Sequence, residues 1–168
     1  IRPIERFSTE GFSVRNAALV PDARSDASAG TADLALEFAI EAAREAVRSA
    51  SIDVSSTGVA PARVAIVFGT SLATHAEGIH RLAELTAEAL SASGPRLTLS
   101  TACSSSANAV GLARDLLLEG VCDVAIAGGS DALTGEILAG FHNLGLLAPD
   151  RCAPFSEPAG TTLGEGAA

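Results

Sequence analysis

Leu97-Thr-Leu-Ser-Thr-Ala-Cys103-Ser-Ser-Ser-Ala-Asn-Ala109 passes from alternating Leu and Thr, a strand pattern, into a run of small residues that opens a helix. Cys103 stands at the junction. The N–H groups of a helix's first turn lack intrahelical partners and carry partial positive charge, so a thiol held there ionises more readily than a free one. The same N–H groups can hold a developing oxyanion. Acyl transfer through a thioester needs both effects at one residue, and a sharp strand-to-helix turn supplies both from local geometry. Cysteine is more often a small buried apolar residue than a nucleophile. A packing cysteine, however, does not need Ala102 before it and Ser104, Ser105 and Ser106 after it, whereas a reacting thiol needs uncrowded approach and nearby donors. For Cys122, opening Cys-Asp-Val-Ala-Ile-Ala-Gly-Gly, the expectation is core; for Cys152, in Pro149-Asp-Arg-Cys-Ala-Pro, it is loop packing. Three cysteines without metal-like spacing argue against a disulfide framework or a zinc site.

Working outward, the early helical positions Ala102, Ser104, Ser105, Ala107 and Ala109 predict a helix running through the middle of the protein, closely approached by other backbone. It continues through Val110, Ala113, Leu116 and Leu117 to Gly120. Upstream, Arg96 to Ser100 reads as a strand preceded by the stop Gly94-Pro95, and Val64-Ala-Ile-Val-Phe as a strand buried on both faces. Downstream, Asp123-Val-Ala-Ile-Ala is a third buried strand ending at Gly128-Gly129. A helix is expected from Ala76 to Ala92 with Leu82, Leu85 and Leu90 inward. Another begins at Thr31, as N-cap, with Asp33 in its first turn and a stripe of Leu36, Ile40, Ala43 and Val47 widened by Leu34 and Phe38. Ile1 to Gly30 is loop-like, with a short edge strand expected around Phe12 and Val14. Ser55 to Pro61 is rich in turn residues. Strands alternating with helices predict an α/β fold: a largely parallel sheet covered by helices on both faces.

Composition narrows the function. The 168 residues are the size of one domain, and 48% apolar residues suffice for a core. A net charge of −9 excludes nucleic acid and anionic membrane as expected partners, since both demand clustered positive charge. All 11 basic residues are arginine, so no lysine chemistry originates here. No apolar stretch approaches membrane-spanning length and no export signal is visible, so a cytoplasmic location is expected. Methionine is absent, and the ends of the chain are expected to be artificial.

Five segments in register, Thr101-Ala-Cys-Ser-Ser-Ser, Asp123-Val-Ala-Ile-Ala-Gly-Gly-Ser-Asp, Gly140-Phe141, Cys152-Ala-Pro-Phe-Ser and Gly164-Glu-Gly-Ala, resemble the N-terminal half of a β-ketoacyl synthase. These are the condensing enzymes of fatty-acid and polyketide synthesis, with the thiolase fold. The resemblance runs from about Ile1 to Ala168. It implies that Cys103 accepts an acyl chain from the phosphopantetheine of an acyl carrier protein, with its own N–H as one oxyanion donor. Decarboxylation of a malonyl thioester and attack of its enolate then give a 3-oxoacyl thioester. Phe141 would line the acyl pocket, with an ordinary buried loop aromatic as the other reading. Glu165 would support the site through hydrogen bonds, against the alternative of a solvated loop carboxylate; its two flanking glycines suggest close backbone approach. No cofactor or metal is expected on the chain itself. The expected assembly is a homodimer or a ketosynthase-like heterodimer.

The departures from the family are as specific. Two histidines, a lysine and the second oxyanion donor come from the family's C-terminal half and have no counterpart here; His75, His80 and His142 fall elsewhere in the pattern and are expected to be structural or solvated. The family's first strand, central in its sheet, precedes Ile1, which would leave its neighbours with unpaired backbone groups. The stretch between Gly69 and Cys103 is shorter than usual. The chain is therefore expected to be a piece of a ketosynthase, inactive and unlikely to fold alone, completed by residues upstream and downstream or by a partner subunit. Two alternatives keep the fold: a non-catalytic subunit like the chain-length factors, which typically lack the cysteine, and a coenzyme A-primed thiolase-type enzyme. A serine hydrolase finds no Gly-x-Ser-x-Gly elbow at the strand ends.

Overall fold

Val64-Ala-Ile-Val-Phe-Gly is buried at every position, and the molecule is organised around it. The computed structural model describes residues 1–21, 31–52, 58–71, 78–148, 150–157 and 159–168, except for the side chains of 31–33. In chain order the elements are β1 (Arg2–Pro3), β2 (Asn16–Ala17), α1 (Thr31–Ser49), β3 (Val64–Gly69), α2 (Arg81–Ala89), β4 (Arg96–Leu99), α3 (Ser105–Leu118), β5 (Val124–Asp131), α4 (Gly135–Asn143) and β6 (Gly166–Ala167). The main sheet has the order β4-β3-β5-β6. β3 runs parallel to β4 and to β5, and β6 is antiparallel to β5.

The two-residue period of β3 divides the core. Val64, Ile66 and Phe68 join Ile126 of β5 against Ala39 and Ala43 of α1 and Leu82, Ala83 and Ala87 of α2. Val67 turns the other way, onto Ala109 and Ala113 of α3, with Leu99, Ala125 and Ala127 beside it. Helices therefore cover both faces of a mostly parallel sheet, as the alternating pattern predicts.

Several expectations need correction. The buried face of α1 is Leu34, Ala35, Ala39 and Ala43; Leu36 and Val47 of the expected stripe pack half-buried against the core, and Ile40 is half-buried. Alanines let the helix backbone come close enough for Ser130 Oγ to donate to the Ala35 carbonyl at 2.6 Å, which a Leu-lined face would prevent. The edge strand expected at Phe12 and Val14 is instead the short ladder of β1 with β2, where Arg2 faces Ala17 and Pro3 faces Asn16; Val14 is buried without being a strand. α2 starts at Arg81 and ends at Ala89; Leu82 is buried as expected, Leu90 packs half-buried against the core, and Leu85 is half-buried. β5 runs past Gly129 to Asp131 because β6 pairs with Ser130 and Asp131. α3 is covered on one side only: Ala109 and Ala113 face the sheet, while Val110, Leu117 and Leu118 are open. Among the described residues, no gap for an absent central strand separates β3 from β5, which pair directly from Val64↔Val124 to Gly69↔Gly129. Cys122 is buried as expected; Cys152 is exposed, its N–H donating to Thr162 Oγ1 at 2.7 Å. The capping expected of Thr31 and Asp33, the loop over 22–30, the turn over 55–57, His75, Pro149 and the start of the helix expected from Ala76 lie outside the described residues.

α4 follows β5 and opens on Thr134, whose Oγ1 accepts from Ile137 N at 3.2 Å. Thr134→Ala is expected to cost about 1 kcal/mol of unfolding free energy, read by urea denaturation, because that orphan N–H loses its acceptor.

Candidate active site

The link from β4 to α3 is five residues long, Ser100 to Ser104, and its direction is reversed at Ala102, where φ is +54°. That left-handed conformation costs an alanine about 1–2 kcal/mol. Cys103 follows immediately. Ser104 is the N-cap of α3 but makes no side-chain cap bond. Cys103 is exposed, and among the described residues neither its N–H nor its thiol is taken up by a hydrogen bond.

Two glycines press the first turn of α3 onto the sheet. A Cβ on Gly69, the last residue of β3, would fall 2.2 Å from the Ser105 carbonyl carbon and 2.4 Å from Ser106 N. A Cβ on Gly129 of β5 would fall 1.8 Å from Ser106 Oγ. The close backbone approach predicted from the small residues of α3 is thus met from β3 and β5, at the carboxyl ends of the parallel strands, where open α/β sheets carry their sites.

Hydroxyls tie this junction together. Ser105 is 3% exposed. Its Oγ accepts from Thr101 N at 2.8 Å and lies 2.6 Å from the Ala102 carbonyl and 3.0 Å from that of Thr70. Thr70 Oγ1 donates to the Asp131 carboxylate at 2.7 Å, and Ser71 N donates to the same group. Ser100 Oγ donates to the Ser71 carbonyl at 3.2 Å. On the outer side Ser104 Oγ donates to the Thr101 carbonyl, and Asn108 Nδ2 to Thr101 Oγ1 at 2.8 Å. Sequence reasoning picked out Cys103 but missed Gly69, Gly129, Thr70 and Asp131. The legible signal was a glycine closing each apolar strand run opposite a small-sided helix.

Phe141 is placed in the last turn of α4, half-buried, rather than in a loop. Beside it, Gly140 has open space where a Cβ would stand. Glu165 is no solvated carboxylate: its side chain is 0% exposed and Arg6 holds it bidentately at 2.7 and 3.0 Å. Val20 N and Leu133 N also donate to it, at 3.2 and 3.1 Å. Burial pushes its carboxyl up, but the Arg6 hydrogen bonds and charge with the two backbone N–H groups outweigh that and hold it below the ordinary glutamate value. Of the flanking glycines, Gly164 meets Ala18 closely, 3.3 Å from its carbonyl oxygen to a Cβ, whereas Gly166 has open space and a φ of +150°. A cleft lies between these parts, lined by Ala18, Ser106, Gly129, Asp131, Glu165 and Ala168 among others; Cys103 does not line it.

His80 precedes α2 with Nε2 4.0 Å from Glu84. His142 stacks edge-on against Phe12, 5.2 Å between ring centres, with Nδ1 3.4 Å from Ser13 Oγ. Among the described residues, no cluster of three or more metal-ligating side chains forms and no helix is long and apolar enough to cross a membrane.

The mostly parallel α/β sheet, with helices on both faces and a cysteine on its strand-to-helix elbow, is an architecture shared with known proteins. The sequence profile of the "Beta-ketoacyl synthase, N-terminal domain" matches residues 81–168. The chain belongs to the β-ketoacyl synthase family. Nodulation protein E of Rhizobium leguminosarum bv. trifolii is 45% identical over 76 residues, covering 44% of this chain and 19% of that protein. The spectinabilin polyketide synthase system protein NorA' of Streptomyces orinoci is 46% identical over 77 residues, 44% of this chain and 2% of its own length. Among solved structures, the ishigamide ketosynthase/chain length factor superposes with a TM-score of 0.84 at 29% identity, over 98% of this chain and 48% of that one. The fold is the thiolase-like one of ketosynthases. The chain spans about half of that solved structure, and its matched segment less than a fifth of the curated relatives.

Proposed function

We propose that this chain supplies the nucleophile of a ketosynthase. The Cys103 sulfur attacks the carbonyl of an acyl thioester carried on the phosphopantetheine of an acyl carrier protein. The tetrahedral oxyanion collapses, the acyl group passes to Cys103 and the phosphopantetheine thiol leaves with a proton. A malonyl thioester then loses carbon dioxide, and its enolate attacks the Cys103 thioester. A carbon–carbon bond forms, the 3-oxoacyl thioester departs and the Cys103 sulfur is regenerated.

The observation that carries this reading is the exposed Cys103, whose N–H takes no hydrogen bond among the described residues, set just ahead of the first turn of α3 by an elbow that Gly69 and Gly129 hold against the sheet. That N–H is one oxyanion donor. The second donor, and the two histidines and lysine that assist decarboxylation, come from residues outside this chain; His80 and His142 occupy structural contacts of their own. Phe141, half-buried beside the open space at Gly140, lines the acyl pocket. Glu165 supports the architecture without chemistry. The working assembly is a ketosynthase homodimer or heterodimer served by an acidic carrier protein, whose docking weakens as salt rises.

Incubating the intact protein with an acyl-carrier thioester is expected to add one acyl mass, mapped to Cys103, and Cys103→Ala is expected to remain unlabelled. Labelling at Cys122 or Cys152 would refute the assignment. A folded sample that takes no label at all points instead to a chain-length-factor-like subunit.

A further inference from the structure

Three consecutive serines follow Cys103, and only the middle one is buried. We infer that Ser105 is a positioning residue for thioester formation, its hydroxyl holding Ala102 in the left-handed turn that presents Cys103 ahead of α3. This rests on the reading of Cys103 as acyl acceptor.

A serine at a helix start ordinarily caps it, accepting from N–H groups further along the helix. Ser105 does the reverse. Its oxygen accepts from Thr101 N, four residues back, and its single proton is shared between the carbonyls of Ala102 at 2.6 Å and Thr70 at 3.0 Å. Every one of these partners belongs to the elbow or to the end of β3. Ser105 N also donates to the Ala102 carbonyl, at 3.1 Å, so side chain and backbone grip the same strained peptide. Thr70 is itself anchored through its Oγ1 to Asp131 at 2.7 Å, which ties the grip to the ends of β3 and β5. Neither Ser104 nor Ser106 is bonded to the Ala102 carbonyl through its hydroxyl: Ser104 Oγ donates to Thr101 groups and Ser106 faces Gly129. The hydroxyl of Ser105 therefore offsets the strain at Ala102. A glycine at 102 would adopt the same φ without it.

That last point supplies a test that a merely structural role would not satisfy. Single-turnover acylation by an acyl-carrier thioester, and binding of that carrier, are measured for the intact wild-type protein, Ser105→Ala, Ala102→Gly and the double variant. Ser105→Ala is expected to acylate roughly ten- to a hundredfold more slowly, as a displaced nucleophile does, with carrier binding unchanged. Adding Ala102→Gly is expected to restore part of that rate. Wild-type acylation rates in Ser105→Ala overturn the inference while leaving Cys103 as the acyl acceptor, and so does a loss that the glycine does not relieve. Absence of wild-type acylation overturns the underlying reading and the inference with it. If Ser105→Ala does not fold, Ser105→Cys, of similar size but a weaker donor, is measured with the label mapped to its peptide; an undiminished rate there refutes the role.

Discussion

Gly69→Ala is expected to lower the unfolding free energy by about 3 kcal/mol, the upper part of the range for overpacking, and to slow acylation of Cys103 by roughly a hundredfold or more. The added methyl would stand 2.2 Å from the Ser105 carbonyl carbon and 2.4 Å from both Ser105 O and Ser106 N. These are backbone atoms of the first turn of α3, so no side chain can swing aside; the helix must lift from β3 by roughly 1 Å. Lifting it breaks the Ser105 contacts to Thr70 and carries the elbow, with Cys103, away from its place. Gly111→Ala is the matched control. Gly111 lies within α3 with nothing within 4 Å of a Cβ, and the same substitution there is expected to stabilise by about 0.5–1 kcal/mol with acylation intact. Urea denaturation and the acyl mass shift, measured on both variants, separate the two outcomes. Equal behaviour of the pair would show that the β3–α3 approach does not position the site.

The contrast between these glycines shows what the sequence could carry. The strand at Val64–Gly69 was legible because a continuous apolar run has one good solution, burial on both faces of a parallel sheet. The elbow was legible because small residues on both sides of Cys103 have no other use. The inward face of α1 was legible in part: Leu34, Leu36, Ala43 and Val47 of the expected stripe meet the core, but Ala35 and Ala39, outranked in hydrophobicity by Leu36 and Ile40, are fully buried where Ser130 reaches the helix backbone. Hydrophobic periodicity locates a stripe but does not say which edge of it must be thin. Likewise Gly69 and Gly129 read as strand ends, and only the register that sets Gly69 opposite Gly129, with Ser106 over both, turns them into site residues. The hydrogen-bonding role of Glu165 followed from the family resemblance and the close backbone approach from its flanking glycines, but its partner was not legible, since Arg6 is 159 residues away in the chain.

That distance makes the Arg6–Glu165 pair the second large expected effect. Glu165→Ala is expected to cost about 3–5 kcal/mol, the usual penalty for removing one partner of a buried ion pair. The loss strands the Arg6 guanidinium, 12% exposed, and leaves Val20 N and Leu133 N without their acceptor. One carboxylate thus joins the N-terminal segment, the β5–α4 connection and the β6 strand, and its removal frees all three together. The pH dependence distinguishes this pair from simple packing. In the folded protein the Glu165 carboxyl titrates below its ordinary value of 4.5, so folding favours the ionised form. Its contribution is fully present above that value and is lost as pH falls below it, through the folded value. Wild-type stability should therefore drop on acidification below pH 4.5, and the gap between wild type and Glu165→Gln should narrow over the same interval, because a protonated carboxyl and an amide both lack the charge that Arg6 requires. Denaturant titrations at neutral pH and at successively lower pH test this; a gap that stays constant down the acid range would mean that the side chain acts by shape and neutral hydrogen bonds rather than by its charge.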